Sequence, residues 1–134
     1  MADMHYIIVK RSITIKGVKE DRFMPSLLNH GMLKTKNVAQ KIAKQSTISV
    51  AEAENFLGAL ADIIIDELEA GWDVKIDGLG TFSPAIMARA VKDIKDCNAD
   101  TIKRKYIKFE PSTELKAEFK NATFRKADID VQHV

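Results

Sequence analysis

The stretch KIDGLGTFSP, residues 75–84, places two glycines around a leucine, and closely spaced glycines are one way to hold a phosphate. A dinucleotide-binding loop needs a third glycine followed by a helix, whereas Ser83 occupies that position and the strand pattern continues. A P-loop needs Gly-Lys-Ser/Thr, which the sequence lacks. Gly78 and Gly80 therefore predict a sharp bend between two strands, with Leu79 and Phe82 anchoring it in the core.

The residue types that usually carry catalysis are scattered. His5, His30 and His133 have no cysteine or carboxylate at the spacing of metal ligands, and nothing near Cys97 indicates a catalytic thiol. No Ser-His-Asp or Cys-His arrangement is suggested either. We therefore expect no enzyme, no catalytic residue, no metal and no cofactor or small-molecule substrate, and a single cysteine suits a reducing compartment.

Basic residues concentrate between positions 85 and 111, where seven stand against four acidic ones. They are candidates for contact with a polyanion: Arg89, Lys92, Lys95, Lys103, Arg104, Lys105 and Lys108. The competing interpretation is a hairpin with a solvated lysine face. Because residues 103–105 alternate along a predicted strand, only one of its two faces can meet a partner, and the sequence does not say which.

Charge is unevenly distributed along the 134 residues, although the net charge is only +2. Residues 1–50 carry a net +6, residues 51–80 a net −7 and residues 81–134 a net +3. This asymmetry suggests a polyanion partner for the basic parts, while ordinary solvation of strands and helices is the simpler alternative. The length fits one domain, and we expect a cytoplasmic protein because no signal peptide or membrane-spanning run is evident.

Local patterns in the first half predict a strand or bent hairpin over 5–17, connecting structure over 18–31, and a helix over 34–46 capped by Thr35. Ser49-Val50-Ala51-Glu52 is a capping box that opens a long helix ending at Gly71. The apolar stripe of this helix is unusually wide, which suggests a second neighbour, such as another subunit.

Alternating residues predict a strand over 72–77 and another over 101–109, with a turn over 95–100 between the two strands of a long hairpin. A short helix capped by Ser112 follows, and we expect its Leu115 and Phe119 to be buried. The tail "ATFRKADI" could form a strand that pairs with the N-terminal "YIIVKRSI".

Two segments, GWDVKIDGLGTF (71–82) and IKFEPSTELKAEF (107–119), resemble the bacterial histone-like HU and integration host factor family, in the extended form seen in Bacteroidetes. The resemblance implies an α+β intertwined homodimer with a helical base, a β-sheet saddle and protruding β-hairpin arms. It implies an HU-like DNA-binding domain at 33–120, preceded by an N-terminal strand extension at 1–32 and followed by a tail at 121–134.

The function implied by the resemblance is an architectural protein of the nucleoid that binds double-stranded DNA through basic arms, largely without sequence specificity. The family inserts an arm-tip proline between base steps, but this chain has no proline between Pro84 and Pro111. Ile94 or Ile102 could substitute as the wedge. The alternative is an HU-fold structural or protein-interaction module that has lost DNA binding, which the missing proline and the acidic residues of the arm (Asp93, Asp96 and Asp100) favour.

Overall fold

The computed structural model describes residues 3–134 and divides into two compact units of mixed α and β structure, as expected for an α+β protein. The first unit contains residues up to Met32 and from Glu118 onward, and the second contains Leu33–Ala117. The elements in chain order are β1 (Asp3–Ile15), β2 (Val18–Leu27), α1 (Thr35–Gln45), α2 (Val50–Glu69), β3 (Val74–Ile76), β4 (Gly80–Ala88), β5 (Ile102–Pro111), α3 (Thr113–Lys120), β6 (Thr123–Lys126) and β7 (Gln132–His133).

In the first unit, β1 and β2 form an antiparallel hairpin in which Ile15 lies opposite Val18. The two residues between them, Lys16 and Gly17, have φ values of 50° and 79°, the left-handed geometry that a two-residue hairpin turn requires. The prediction of connecting structure over 18–31 was therefore wrong for most of that range. Its basis was Pro25, which lies on an edge strand, where a missing backbone N–H is tolerated.

The C-terminal tail completes this sheet. Strand β6 runs parallel to the start of β1, with Met4 beside Phe124, and β7 lies beside Val9 and Lys10. The predicted pairing of the N-terminal strand with the tail is confirmed for the two elements, although of the stretch 6–13 only Tyr6 lies beside β6. Parallel pairing joins two ends of the chain that are more than a hundred residues apart.

Capping decides where the helices of the second unit begin. Helix α1 begins at Thr35, so Thr35 is not its cap, and the backbone N–H of Lys34 donates to the Asn37 side chain at 2.9 Å. The predicted capping box of α2 is confirmed: the Glu52 N–H donates to Ser49 Oγ at 3.1 Å and the Ser49 N–H donates to Glu52 Oε1 at 3.4 Å. Gly71, with φ 92°, follows the end of α2 as predicted.

Helix α2 carries two apolar stripes. The inner stripe is buried or partly buried and consists of Ala53, Leu57, Leu60, Ile64 and Leu68. The outer stripe contains Phe56 and Ile63, which are 61% and 55% exposed. The wide stripe recognised in the sequence is therefore only half covered within one chain.

The second unit's sheet has the order β3-β4-β5, and the two glycines of the bend have φ values of 82° and 153°. A Cβ on Gly80 would overlap the Glu110 carbonyl oxygen and lie 2.8 Å from the Phe109 ring. The predicted role of these glycines in a bend is confirmed, because Gly80 needs both the positive φ and the space. Phe82 stacks on Phe109 at 4.8 Å, but Leu79 is 38% exposed and does not anchor the core.

Helix α3 begins after Ser112, whose Oγ accepts the Leu115 N–H at 3.0 Å, as the cap was predicted to do. The expected burial of Leu115 and Phe119 is wrong for the single chain, where they are 41% and 66% exposed. An amphipathic pattern identifies an apolar face, but it does not say what covers that face.

Candidate nucleic-acid interface

Strands β4 and β5, with the connecting segment 89–101, form a hairpin that we call the arm. Register assigns its side chains to two faces, since residues directly opposite each other point the same way. One face is apolar and carries the pairs Phe82–Phe109 and Pro84–Ile107. The other, which we call the polar face, carries these opposed pairs: Thr81–Glu110, Ser83–Lys108, Ala85–Tyr106 and Met87–Arg104.

The polar face brings together two of the predicted cations with an aromatic ring. The Arg104 guanidinium lies over the Tyr106 ring, 4.9 Å from its centre, which holds both side chains in a defined arrangement. Lys108 follows on the same face, opposite Ser83. Cations beside hydroxyl groups and an exposed aromatic ring can bind phosphates and sugars together.

One carboxylate of the polar face is neutralised by a neighbouring helix. Glu110 accepts a hydrogen bond from Lys116 Nζ at 2.9 Å, and this bond, with the charge of Lys116, lowers the pKa of Glu110. Because Lys116 partly neutralises Glu110, this carboxylate reduces the positive charge of the polar face less than an unpaired carboxylate would.

Two of the predicted cations do not lie on the polar face. Lys105 is opposite Ile86 and lines an apolar groove between the arm and α2, together with Leu68 and Ile107. Lys103 falls where the register shifts between Met87 and Ala88, so it is the extra residue of a bulge.

The other three predicted cations, Arg89, Lys92 and Lys95, lie in the segment 89–101. The strands end earlier than a tight turn over 95–100 would require, and two short 3₁₀ turns close the arm at Ile94–Asp96 and Ala99–Thr101. The buried Thr101 accepts the Arg89 N–H through its carbonyl at 2.8 Å. Ile94 projects from this closed tip with 90% of its surface exposed.

Sequence reasoning identified the basic segment but could not divide it between two faces. The division depends on the opposed residues of β4 and on the bulge at Lys103, which reverses the alternation beyond it. The signal available in the sequence was Phe82 and Phe109: two aromatic residues bordering one bend mark the apolar face, and counting outward in steps of two from Phe109 separates Lys105 from Arg104 and Lys108.

Over residues 3–134, no group of three or more His, Cys, Asp or Glu residues is placed to hold a metal ion. Within the same range, none of the helices combines the length and the apolar character needed to cross a membrane.

Two solved structures share this architecture. Anabaena HU, crystallised with DNA, superposes with a TM-score of 0.53 at 16% identity, over 66% of this chain and 99% of that one. A candidate bacterial DNA-binding protein from Bacteroides vulgatus ATCC 8482 gives a TM-score of 0.65 at 12% identity over 94% of this chain. The chain spans about half the length of that protein, 49% of it. The fold is therefore HU-like.

The family of the chain is identified from its amino-acid sequence. A model of the HU-HIG family, described as an HU domain fused to a wHTH, Ig or glycine-rich motif, matches residues 1–126. The chain belongs to this family, which confirms the resemblance to HU seen in its motifs. The match extends across both structural units. A search of curated protein sequences found no significant match.

Proposed function

We propose that this chain is an architectural, histone-like protein that binds double-stranded DNA through the polar face of the arm, largely without sequence specificity. The observation that carries the proposal is the alignment of Arg104, Tyr106 and Lys108 on the polar face of an HU-like arm. Phosphate contacts of this kind supply affinity and orientation but read no sequence. Family membership and the likeness to an HU crystallised with DNA support the same conclusion.

We propose that the binding form is an intertwined homodimer. Within the described residues, the buried apolar side chains of the single chain are Val9, Ala39, Ala53 and Leu68, a small core for this length. The outer stripe of α2 supplies the apolar surface that a second copy would cover. Sedimentation equilibrium tests this: a mass of one chain at concentrations where DNA is bound would contradict it.

The proposal assigns the DNA-binding role to residues 33–120, with residues 1–32 and 121–134 as an added extension and tail. Because both HU-like solved structures are of bacterial proteins and the proposed role is DNA binding, we place the protein in the cytoplasm at the nucleoid. Among the arm cations, the polar-face pair Arg104 and Lys108 makes the principal contacts. The tip cations Arg89, Lys92 and Lys95 extend them, and Lys103 and Lys105 do not take part.

The test is a salt titration of binding to a random-sequence duplex, followed by fluorescence anisotropy. The Arg104→Gln, Lys108→Gln variant removes two polar-face cations, and the matched Lys103→Gln, Lys105→Gln variant removes the same charge elsewhere on β5. Because the homodimer carries two arms and loses four phosphate contacts of about 0.9 each, we expect the first variant to lower the magnitude of the slope of log affinity against log salt by about 3.6. The control should keep the wild-type slope.

Equal slopes for the two variants would contradict the assignment of the polar face. Absence of wild-type binding even at low salt would contradict DNA binding itself and favour the alternative, an HU-fold interaction module. The acidic residues of the tip, including Asp93, which lies 3.8 Å from Lys95, are the feature that would then need explanation.

A further inference from the structure

The first unit also contains a basic hairpin, which the proposed DNA-binding arm does not use. Strand β6 pairs with β1 up to Tyr6, and β7 pairs with Val9 and Lys10. Beyond Lys10, within the described residues, β1 pairs with β2 alone. Residues 11–22 therefore form a two-stranded projection, which we call the N-terminal ribbon, and every residue in it except Ile13 is exposed.

The acidic side chains of the ribbon are already paired within the hairpin. Asp21 accepts from Ser12 Oγ at 2.9 Å and lies 3.2 Å from Lys10 Nζ. Glu20 forms an ion pair with Arg22. Both acids are therefore occupied by intramolecular partners.

Three cations of the ribbon remain without such a partner. Arg11, Lys16 and Lys19 make no ion pair within residues 3–134. Their positions differ: Arg11 lies on one face of the ribbon, Lys19 lies on the other, and Lys16 lies in the turn at the tip.

The register also places Arg11 directly opposite Arg22. Like charges in opposed positions of an antiparallel pair destabilise it, and Glu20 neutralises only one of the two. An external anion beside Arg11 would remove this repulsion. A phosphate is well suited, because guanidinium groups bind phosphate oxygens through two parallel hydrogen bonds.

The distribution of the three cations favours a groove over a flat acidic surface. A flat partner could meet only one face of the ribbon, leaving either Arg11 or Lys19 unused. The major groove of B-DNA is about 12 Å wide, admits a two-stranded β-ribbon and is bordered by phosphates on both sides. The minor groove, at about 6 Å, accepts such an element only where the duplex is bent by an apolar wedge, and the tip of the ribbon, Lys16 and Gly17, has no apolar side chain to act as one.

We propose that the N-terminal ribbon is a second DNA-binding element, which enters the major groove of duplex DNA and places Arg11, Lys16 and Lys19 on its phosphates. The proposal rests on the proposed function of the chain as a DNA-binding protein. It adds a contact on an element outside the region that resembles HU.

The experiment measures the salt dependence of duplex binding for an Arg11→Gln, Lys16→Asn, Lys19→Gln variant of the full chain. Asparagine is chosen at position 16 because it tolerates the positive φ of 50°. A matched control, Lys36→Gln, Lys41→Gln, Lys44→Gln, removes the same charge from exposed positions of α1. Because the proposed homodimer carries two ribbons and loses six phosphate contacts of about 0.9 each, we expect the ribbon variant to lower the magnitude of the slope by about 5 and the control to leave it unchanged.

Two further measurements keep the result interpretable. The single variant Arg11→Gln, with an expected slope change of about 2 from the two copies in the homodimer, serves if the triple variant melts at a lower temperature than wild type. Dimethyl sulfate footprinting reports the guanine N7 atoms of the major groove, and the wild type should protect guanines that the triple variant leaves reactive.

Equal slopes for the ribbon variant and the α1 control would overturn the ribbon proposal, and so would the absence of any N7 protection by the wild type. The Arg104→Gln, Lys108→Gln variant separates this failure from that of the proposed function. If the arm variant weakens binding and the ribbon variant does not, the ribbon proposal falls and the arm proposal stands. Absence of wild-type binding overturns both.

Discussion

The arm and the N-terminal ribbon are both antiparallel hairpins rich in basic residues, but they differ in how many faces they leave free. One face of the arm is mostly apolar, with the Phe82 ring packed against that of Phe109, and it carries Lys105, whereas Arg104 and Lys108 lie on the other face. The ribbon carries cations on both faces. A hairpin with one apolar face contacts a charged partner mainly through its other face, whereas a hairpin with cations on both faces can enter a groove.

The two hairpins also close differently. The ribbon ends in the two-residue turn at Lys16 and Gly17, which leaves a charged tip. The arm ends in the segment 89–101, where two 3₁₀ turns expose the apolar side chain of Ile94. A charged tip suits phosphate contact, and an apolar tip suits insertion between bases.

We expect the largest difference between the two hairpins in the free energy of unfolding when one glycine in each is replaced by alanine. Gly80→Ala should lower the free energy of unfolding by about 3 kcal/mol, since the left-handed φ and the overlap with Glu110 and Phe109 act together. Gly17→Ala should cost only about 1 kcal/mol, because its φ is positive but its surroundings are open. Urea denaturation measures both, and equal losses would contradict the close packing at the base of the arm.

A second effect concerns the tips. Ile94→Ala should reduce the bend of a bound duplex while leaving its salt dependence unchanged, because the cations remain and only the apolar wedge is lost. Energy transfer between dyes at the two ends of the duplex measures the bend. Ile102→Ala, at a position that is 42% exposed, is the matched control in the arm. Wild-type transfer efficiency in the Ile94→Ala complex would exclude this residue as the wedge.

Some features of the fold were predictable because the signals are local. Ser49, Glu52 and Gly71 define the ends of α2 within a few residues, and Gly80 defines the bend. These elements depend on backbone geometry that each short segment imposes on itself.

Other features depend on contacts that no local pattern encodes. Alternation puts Lys105 and Arg104 on different faces, but which of those faces is polar follows from register, and Pro25 concealed a ten-residue strand because its position at the sheet edge was unknown. The exposure of Leu115 depends on what covers α3. The sequence therefore identified the basic segment that carries the candidate site, but not which of its side chains share the polar face.

The smallest expected effect is on the pKa values of two carboxylates, one from each hairpin. A hydrogen bond from Ser12, aided by Lys10, lowers the pKa of Asp21 below its usual 3.8, and a hydrogen bond from Lys116 lowers the pKa of Glu110 below its usual 4.5. Because each pKa is lower in the folded state, each carboxylate stabilises the fold above its unfolded pKa. This stabilisation is lost as the pH falls through the folded value.

Carbon-13 titration of the carboxyl groups should therefore give a midpoint below 3.8 for Asp21 and below 4.5 for Glu110. Ser12→Ala should raise the pKa of Asp21 and leave that of Glu110 unchanged. Lys116→Gln should raise the pKa of Glu110 and leave that of Asp21 unchanged, since the two carboxylates lie in different hairpins. Both sites are exposed, so the shifts are small. A midpoint for Asp21 that Ser12→Ala does not move would contradict the hydrogen bond from Ser12, and would weaken one argument for the ribbon's unpaired cations.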